Sequence, residues 1–197
     1  MPTRQRRTLL IDQISPTWDV RERHQRSIKA GPEAAFDSMR TVTPDEVRLL
    51  RGLFQVRTFP SRLIGSAPVE PPSGQPLFDL LIESGFTILT DATPDEIVVG
   101  QIAKFWQLSN MPIHPVENVD DFIAFDEPGW CKATMNIRCR PEPGGSRIMT
   151  ETRVTATTPG ARHKLRVYWA IVLPGSAIIR RNWLAAAARK AEGTHSL

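Results

Sequence analysis

The chain has 197 residues, of which 41% are hydrophobic and 23% charged, and this suffices for one globular domain with a sizeable core. Its net charge of +4 is mild, and Arg and Lys alternate with Asp and Glu along most of the chain, so nothing points to a nucleic-acid partner. No apolar run approaches the roughly 18 residues of a membrane span, and none is long enough for a secretory signal, so we expect a cytoplasmic protein.

The N-terminal part of the chain predicts a tail, a strand and a helix. Residues 1–17 form a basic tail or extension, and the β-permissive run 19–31 predicts the first strand. Pro32 then fits the first position of a helix, and Glu33 fits its first turn.

A second helix, a loop and a third helix are predicted next. Thr43 and Glu46 have the spacing of a capping box, in which each side chain accepts a hydrogen bond from the backbone of the other residue at a helix start. Residues 64–76 are rich in proline and predict a loop. The run 77–86 predicts a short helix that ends at Gly85.

The middle of the chain predicts antiparallel strands. The runs 86–91 and 96–106 favour two strands joined by a short turn. The clearest hairpin joins the runs 130–140 and 146–157 through the Pro/Gly-rich loop 141–145.

A long amphipathic helix is predicted from about Pro159 to Ala191. Its apolar stripe consists of Leu165, Trp169, Val172, Ile179, Trp183 and Ala187. We expect Trp169 and Ile179 to be largely buried. Pro174 should kink or interrupt the helix, because proline lacks the backbone donor and clashes with the preceding turn.

This order of elements predicts an α+β fold, in which a curved antiparallel β-sheet of five to seven strands wraps around the long C-terminal helix, with two short helices after the first strand. We expect a single domain over residues 18–192, with a Pro-rich loop at 64–76 and a C-terminal tail at 193–197. A curved sheet cannot touch a straight helix along its whole length, so a cavity between them is expected.

Two stretches of the chain resemble a known superfamily. They are DVRERHQRSIKAGPEAAFDSM at 19–39 and SRIMTETRVTATTPGARHKLRVYW at 146–169. Over about residues 18–191 the chain resembles the START-type, birch-pollen-allergen-like helix-grip superfamily (SRPBCC). The resemblance implies a small hydrophobic ligand (a lipid, polyketide or aromatic molecule) under the long helix, and some similar proteins cyclise or dehydrate polyketides there. Two regions depart from the pattern: 59–83 is longer, and 108–128 is poor in strand.

Strand alternation divides the hairpin into an apolar face, turned toward the helix, and a polar face. The predicted ligand-binding residues are Trp106, Met135, Ile137, Leu165, Tyr168, Trp169 and Val172. Tyr168 and Trp169 would otherwise be helix-packing residues. Glu151 and Arg153 fall on the other face, where we expect solvent-exposed cross-strand pairs. Turned inward, they would instead form a buried pair able to orient a polar ligand group.

The candidate acid–base groups are His24, Tyr168, Glu151 and Arg153. His24 shares a mixed strand face with Glu22, and a lone histidine is more often structural than catalytic. No pair of histidines or cysteines has metal-ligand spacing, and the phosphate and dinucleotide glycine patterns are absent from the sequence, so neither a metal nor a cofactor is expected.

Two kinds of function therefore remain. The first is a non-catalytic carrier of a small hydrophobic molecule, and the second is a polyketide cyclase or dehydratase acting in the same cavity. A structural or partner-binding domain with a filled core is the third alternative. The sequence leaves open whether the protein forms a homodimer. A catalyst should bring at least two titratable groups together in the cavity, and the sequence identifies no such pair, so it favours the carrier.

Overall fold

The structure is a computed structural model that describes residues 9–47, 74–107 and 110–194. Its elements are α1 (Leu10–Ile14), β1 (Val20–Ile28), α2 (Pro32–Thr41), a 3₁₀ turn (Pro44–Glu46), α3 (Leu77–Glu83), β2 (Thr87–Ala92), β3 (Glu96–Ala103), β4 (Ile113–His114), α4 (Val119–Ala124), β5 (Cys131–Glu142), β6 (Gly145–Ala156) and α5 (Pro159–Thr194). The fold is the predicted α+β class.

The strands form one open, curved, antiparallel sheet of six strands in the order β1-β6-β5-β3-β2, with β4 paired to β3. The first strand therefore lies beside the last. Helix α5 crosses one face of the sheet, mainly over β1 and β6. We call this the inner face, and the opposite one the outer face. The arrangement is consistent with a helix-grip fold, as predicted.

The predicted hairpin is confirmed, because β5 and β6 pair along their whole length from Cys131–Ala156 to Glu142–Gly145. The glycine at its tip is required by a close approach to the end of β1. A Cβ added to Gly145 would lie 2.0 Å from the carbonyl oxygen of Ile28, so a larger residue there would push the hairpin away from β1.

Two apolar clusters join α5 to the inner face. Near its C-terminal end, Trp183, Leu184 and Ala187 pack with α2 and with Ile137 and Ile148 of the hairpin. Near its N-terminal end the packed residues are Cys131, Ala133, Val154, Ala156, Ala161 and Leu165. Helix α5 is thus anchored at both ends, and the apolar set of β5 faces it as predicted.

A third cluster covers the outer face. Phe122 of α4 and Ile11 of α1 are completely buried there against Val98 and Ile102 of β3. Gly100 leaves the space for this packing, since a Cβ at that position would lie 2.9 Å from the Phe122 ring. The sheet therefore has a core on each face.

Several local predictions can be compared with the structure. The capping box of Thr43 and Glu46 is present, but it opens the 3₁₀ turn; the rest of the predicted second helix, and most of the loop 64–76, lie outside the described residues. Gly85 ends α3 with a φ of +100°. The described part of 108–128 is poor in strand, as predicted, with the two-residue β4.

The prediction for α5 was partly wrong. The helix runs without interruption through Pro174 from Pro159 to Thr194. Trp169 and Ile179 are half-buried rather than buried, because the sheet covers the helix most closely at its two ends.

Among the described residues, no helix combines the length and the apolar character that a membrane crossing requires.

Candidate functional site

A cluster of polar side chains lies between the middle of α5 and the inner face of the sheet. We call it the inner polar cluster: Glu22, His24, Thr150, Thr152, Ser176 and Arg180. The strand register places Glu22 opposite Thr152 and His24 opposite Thr150. Ser176 and Arg180 are four residues apart on α5 and so lie on one side of that helix.

Glu22 is the centre of the cluster and is only 8% exposed. The hydroxyl of Ser176 donates a hydrogen bond of 2.7 Å to its Oε2. Its Oε1 lies 2.7 Å from Nε2 of His24. A carboxylate can only accept hydrogen bonds, so an ionised Glu22 requires His24 to carry its proton on Nε2. The other ring nitrogen, Nδ1, is then the basic one.

Arg180 places a positive charge beside this carboxylate. Its Nη2 donates a hydrogen bond of 2.9 Å to Oγ1 of Thr152. Burial lowers the pKa of Arg180 to about 10, although the charge of Glu22 acts in the opposite direction. The guanidinium is therefore still protonated at neutral pH.

Four buried side-chain nitrogen or oxygen atoms in the described residues lack a hydrogen-bond partner. They are Nε of Arg147, Nε of Arg162, Oγ1 of Thr150 and Nη1 of Arg180. The two Nε atoms each lie 2.5 Å from a carboxylate oxygen, of Glu142 and Asp19 respectively, and so belong to ion pairs. The two atoms that remain, from Thr150 and Arg180, both belong to the inner polar cluster. A buried donor without a partner costs about 1–3 kcal/mol.

The other acid–base candidates lie elsewhere. Tyr168 is half-buried on α5, and the eight residues to Ser176 correspond to about 12 Å along the helix axis. Glu151 and Arg153 lie on the outer face, and each is only 3% exposed. The expectation of solvent-exposed pairs is therefore wrong for both residues.

Arg153 connects α1 to Glu151. Arg153 donates hydrogen bonds of 2.6 Å to Glu151, to Asp12 and to the carbonyl oxygen of Ser15. Arg21 adds a two-pronged bond to Glu151 at 2.9 and 3.0 Å. This network attaches α1 to the sheet on the side away from α5. It cannot orient a ligand under α5.

Glu96 and Asn136 complete the attachment of α1. The backbone N–H groups of Leu10 and Ile11 donate to the carboxylate of Glu96 at 2.9 and 3.3 Å. Asn136 donates to the same carboxylate at 2.7 Å and accepts from the backbone N–H of Glu151 at 2.8 Å. A carboxylate at the start of a helix meets N–H groups that have no partner within the helix.

The predicted ligand-binding residues divide by burial. Met135, Ile137 and Leu165 are at most 1% exposed and belong to the packed clusters. The half-buried residues are Trp106, Tyr168, Trp169 and Val172. Three of these, all aromatic, pack at the edge of the N-terminal cluster of α5. Trp106 comes after β3, which ends at Ala103. A role for these residues in binding stays a prediction.

Sequence reasoning missed most of the inner polar cluster. Neither Ser176 nor Arg180 was among the candidate residues. Their spacing of four residues was visible, but their partner Glu22 lies 154 residues away from Ser176 in the chain. Glu22 was recognised only as a neighbour of His24 on the same strand face.

Neither a metal site nor a thiol nucleophile stands out in the described part of the chain. It contains no group of three His, Cys, Asp or Glu side chains that could hold a metal ion. Burial, with the charge of Asp19 acting in the same direction, raises the pKa of Cys131 to about 12. This thiol therefore stays protonated at neutral pH and is a poor nucleophile.

No family model matches the chain, and no curated protein matches it significantly. Two solved structures are similar to it. One is an uncharacterised protein from Rhizobium leguminosarum, 14% identical, covering 86% of this chain and 95% of that chain, with a TM-score of 0.38. The other is CalU16 from Micromonospora echinospora, 13% identical, covering 90% of this chain and 84% of that chain, with a TM-score of 0.24. At these values the likenesses support no argument about function.

Proposed function

We propose that the protein binds a small, mainly apolar molecule between the sheet and the middle of α5, and that it is a member of the helix-grip superfamily that its sequence resembles. One observation carries the proposal. The inner polar cluster lies where α5 is only half-buried, between two closed apolar clusters. Small-molecule sites commonly combine apolar walls with a few polar anchors.

The walls of this site would come from the half-buried apolar residues of α5. Trp169 and Val172 lie one to two turns before Ser176 on the helix, and both keep part of their surface accessible. An apolar molecule placed against them would remove this surface from water, at about 25 cal/mol per Å². The polar cluster would then fix the orientation of the molecule.

The test is native mass spectrometry of the purified protein, followed by a thermal-shift screen with fatty acids, sterols, flavonoids and polyketide-like aromatic molecules. A ligand that binds only the folded state stabilises it by about 2.7 kcal/mol at 100 times its Kd. We expect at least one class to raise the unfolding midpoint. If none does so near its solubility limit and no molecule co-purifies, the filled-core alternative replaces the proposal.

A second candidate function is acid–base catalysis at the same place, as in a cyclase or dehydratase. The contact between His24 and Glu22 favours it, because a histidine oriented by a carboxylate is a common general base. In this role Nδ1 of His24 would take a proton from the bound molecule. Mass spectrometry of a ligand after incubation distinguishes the two functions: an unchanged ligand supports the carrier, and a product lost in His24→Gln without loss of binding supports the enzyme.

A further inference from the structure

We propose that the ligand carries an oxyanion, most simply a carboxylate, and that Nη1 of Arg180 and Oγ1 of Thr150 bind it. This inference rests on the proposed function and names the polar group of the ligand. Both atoms are buried and have no hydrogen-bond partner among the residues that the structure describes. Thr150 is only 1% exposed, so its hydroxyl cannot be satisfied by bulk water.

The two atoms belong to neighbouring positions. Arg180 donates to Thr152 through Nη2, and this bond places its guanidinium over the inner face of β6. Thr150 is two residues from Thr152 on the same strand and therefore faces the same side. A group held between α5 and this part of β6 can thus meet both donors.

The charges at the cluster select the kind of group. Arg180 is cationic, so the bound atom must be an acceptor, and an anionic acceptor forms the stronger hydrogen bond. The carboxylate of Glu22 does not fill this role, since its oxygens contact Ser176 and His24 and form no hydrogen bond with Nη1 of Arg180 or Oγ1 of Thr150. A cationic ligand group would be repelled by the buried charge of Arg180.

The experiment compares ligands that differ only in this group. Saturated fatty acids of 8 to 16 carbons, the matching alcohols and the matching methyl esters are titrated into the protein by calorimetry. We expect the acids to bind about 10- to 100-fold more tightly than the alcohols or esters, which is the range of a charge-assisted hydrogen bond. The preference should fall about 2- to 10-fold in Thr150→Val, which removes one neutral donor.

Two further variants complete the test. Arg180→Gln should abolish the preference for the acid. Thr134→Val is the matched control: Thr134 is buried in the outer face, and the preference should be unchanged. If Arg180→Gln does not fold, Thr150→Val still decides the question. It removes a hydroxyl that has no partner, so its unfolding midpoint should equal or exceed that of the wild type.

The outcomes separate the two proposals. The oxyanion site is overturned if acid and alcohol bind equally, or if Thr150→Val and Arg180→Gln both retain the preference for the acid. The proposed function then still stands. Failure of all three probe classes to bind, together with a negative wider screen, removes the proposed function and this inference with it.

Discussion

Trp183 and Trp169 lie on the same predicted stripe of α5 but have different environments. Trp183 is only 5% exposed, and its Nε1 donates a hydrogen bond of 3.0 Å to the carbonyl oxygen of Met39. It therefore joins α5 to α2 through both packing and a hydrogen bond. Trp169 is half-buried and packs at the edge of the N-terminal cluster of α5.

This difference predicts unequal costs for the two substitutions. Trp183→Ala should lower the free energy of unfolding by about 3–5 kcal/mol, because it leaves a cavity and an unpaired carbonyl. Trp169→Ala should cost roughly half of that or less, since the side chain keeps part of its surface in water in the folded protein. Urea unfolding of the two variants measures both values. Equal costs would show that α5 is packed as closely at Trp169 as at Trp183.

At the scale of elements, the attachment of α1 to the outer face depends on charge. Burial by itself raises the pKa of Glu151, but the hydrogen bonds and charges of Arg21 and Arg153 outweigh it and hold the pKa below its usual value. In the unfolded chain the pKa of a glutamate is about 4.3. The ionised Glu151 therefore stabilises the fold above about pH 4.3, and this contribution is lost as the pH falls through the lowered pKa.

Glu151→Gln is expected to remove this stabilisation. At pH 7 the variant should lose up to about 3 kcal/mol, because Arg153 and Arg21 lose the buried carboxylate that they share, although Arg153 keeps Asp12. Below about pH 4.3 its unfolding midpoint should fall less steeply than that of the wild type. Thermal unfolding between pH 2 and pH 7 checks both statements. The matched control is Glu142→Gln at the partly exposed hairpin tip, where the stability at pH 7 should change little. Similar behaviour of the two variants would contradict the role of the network.

At the scale of the whole molecule, the sheet lies between two cores. The side chains of one core are on the inner face, and those of the other core are on the outer face. Phe122 is buried in the outer core, and Trp183 is buried in the inner one. All six strands belong to one hydrogen-bonded sheet, and this sheet connects the two cores. We therefore expect a single cooperative unfolding transition, as in most domains of this size.

The double variant Phe122→Ala/Trp183→Ala tests this arrangement. The two costs should add within about 0.5 kcal/mol, because residues on opposite faces share no contact. Denaturant unfolding followed by circular dichroism gives the free energy of unfolding of the double variant and of both single variants, so the sum can be checked directly. A second transition, or a deviation larger than about 1 kcal/mol, would mean that one face can unfold by itself or that the faces are coupled.

The order of most elements and much of the fold could be predicted from the sequence, although α1 lies in the stretch 1–17 that was assigned to a tail or extension. The capping box of Thr43 and Glu46, the stop at Gly85 and the hairpin around 141–145 are local signals, because a few neighbouring residues supply all the interactions they need. Alternation along β5 also correctly assigned its apolar side to the long helix. Pro174 was correctly placed inside the final helix, although it does not interrupt that helix.

What covers each side of the sheet depends on residues that are far apart in the chain. Alternation placed Glu151 and Arg153 away from α5, but it could not show that both are buried or that Arg153 bonds to α1, since α1 lies about 140 residues earlier in the chain. The same holds for Ser176 and Arg180, whose partners on β1 and β6 are distant in sequence. A local pattern tells which way a side chain points. Its burial, its partners and the chemistry it can perform depend on the element that folds over it.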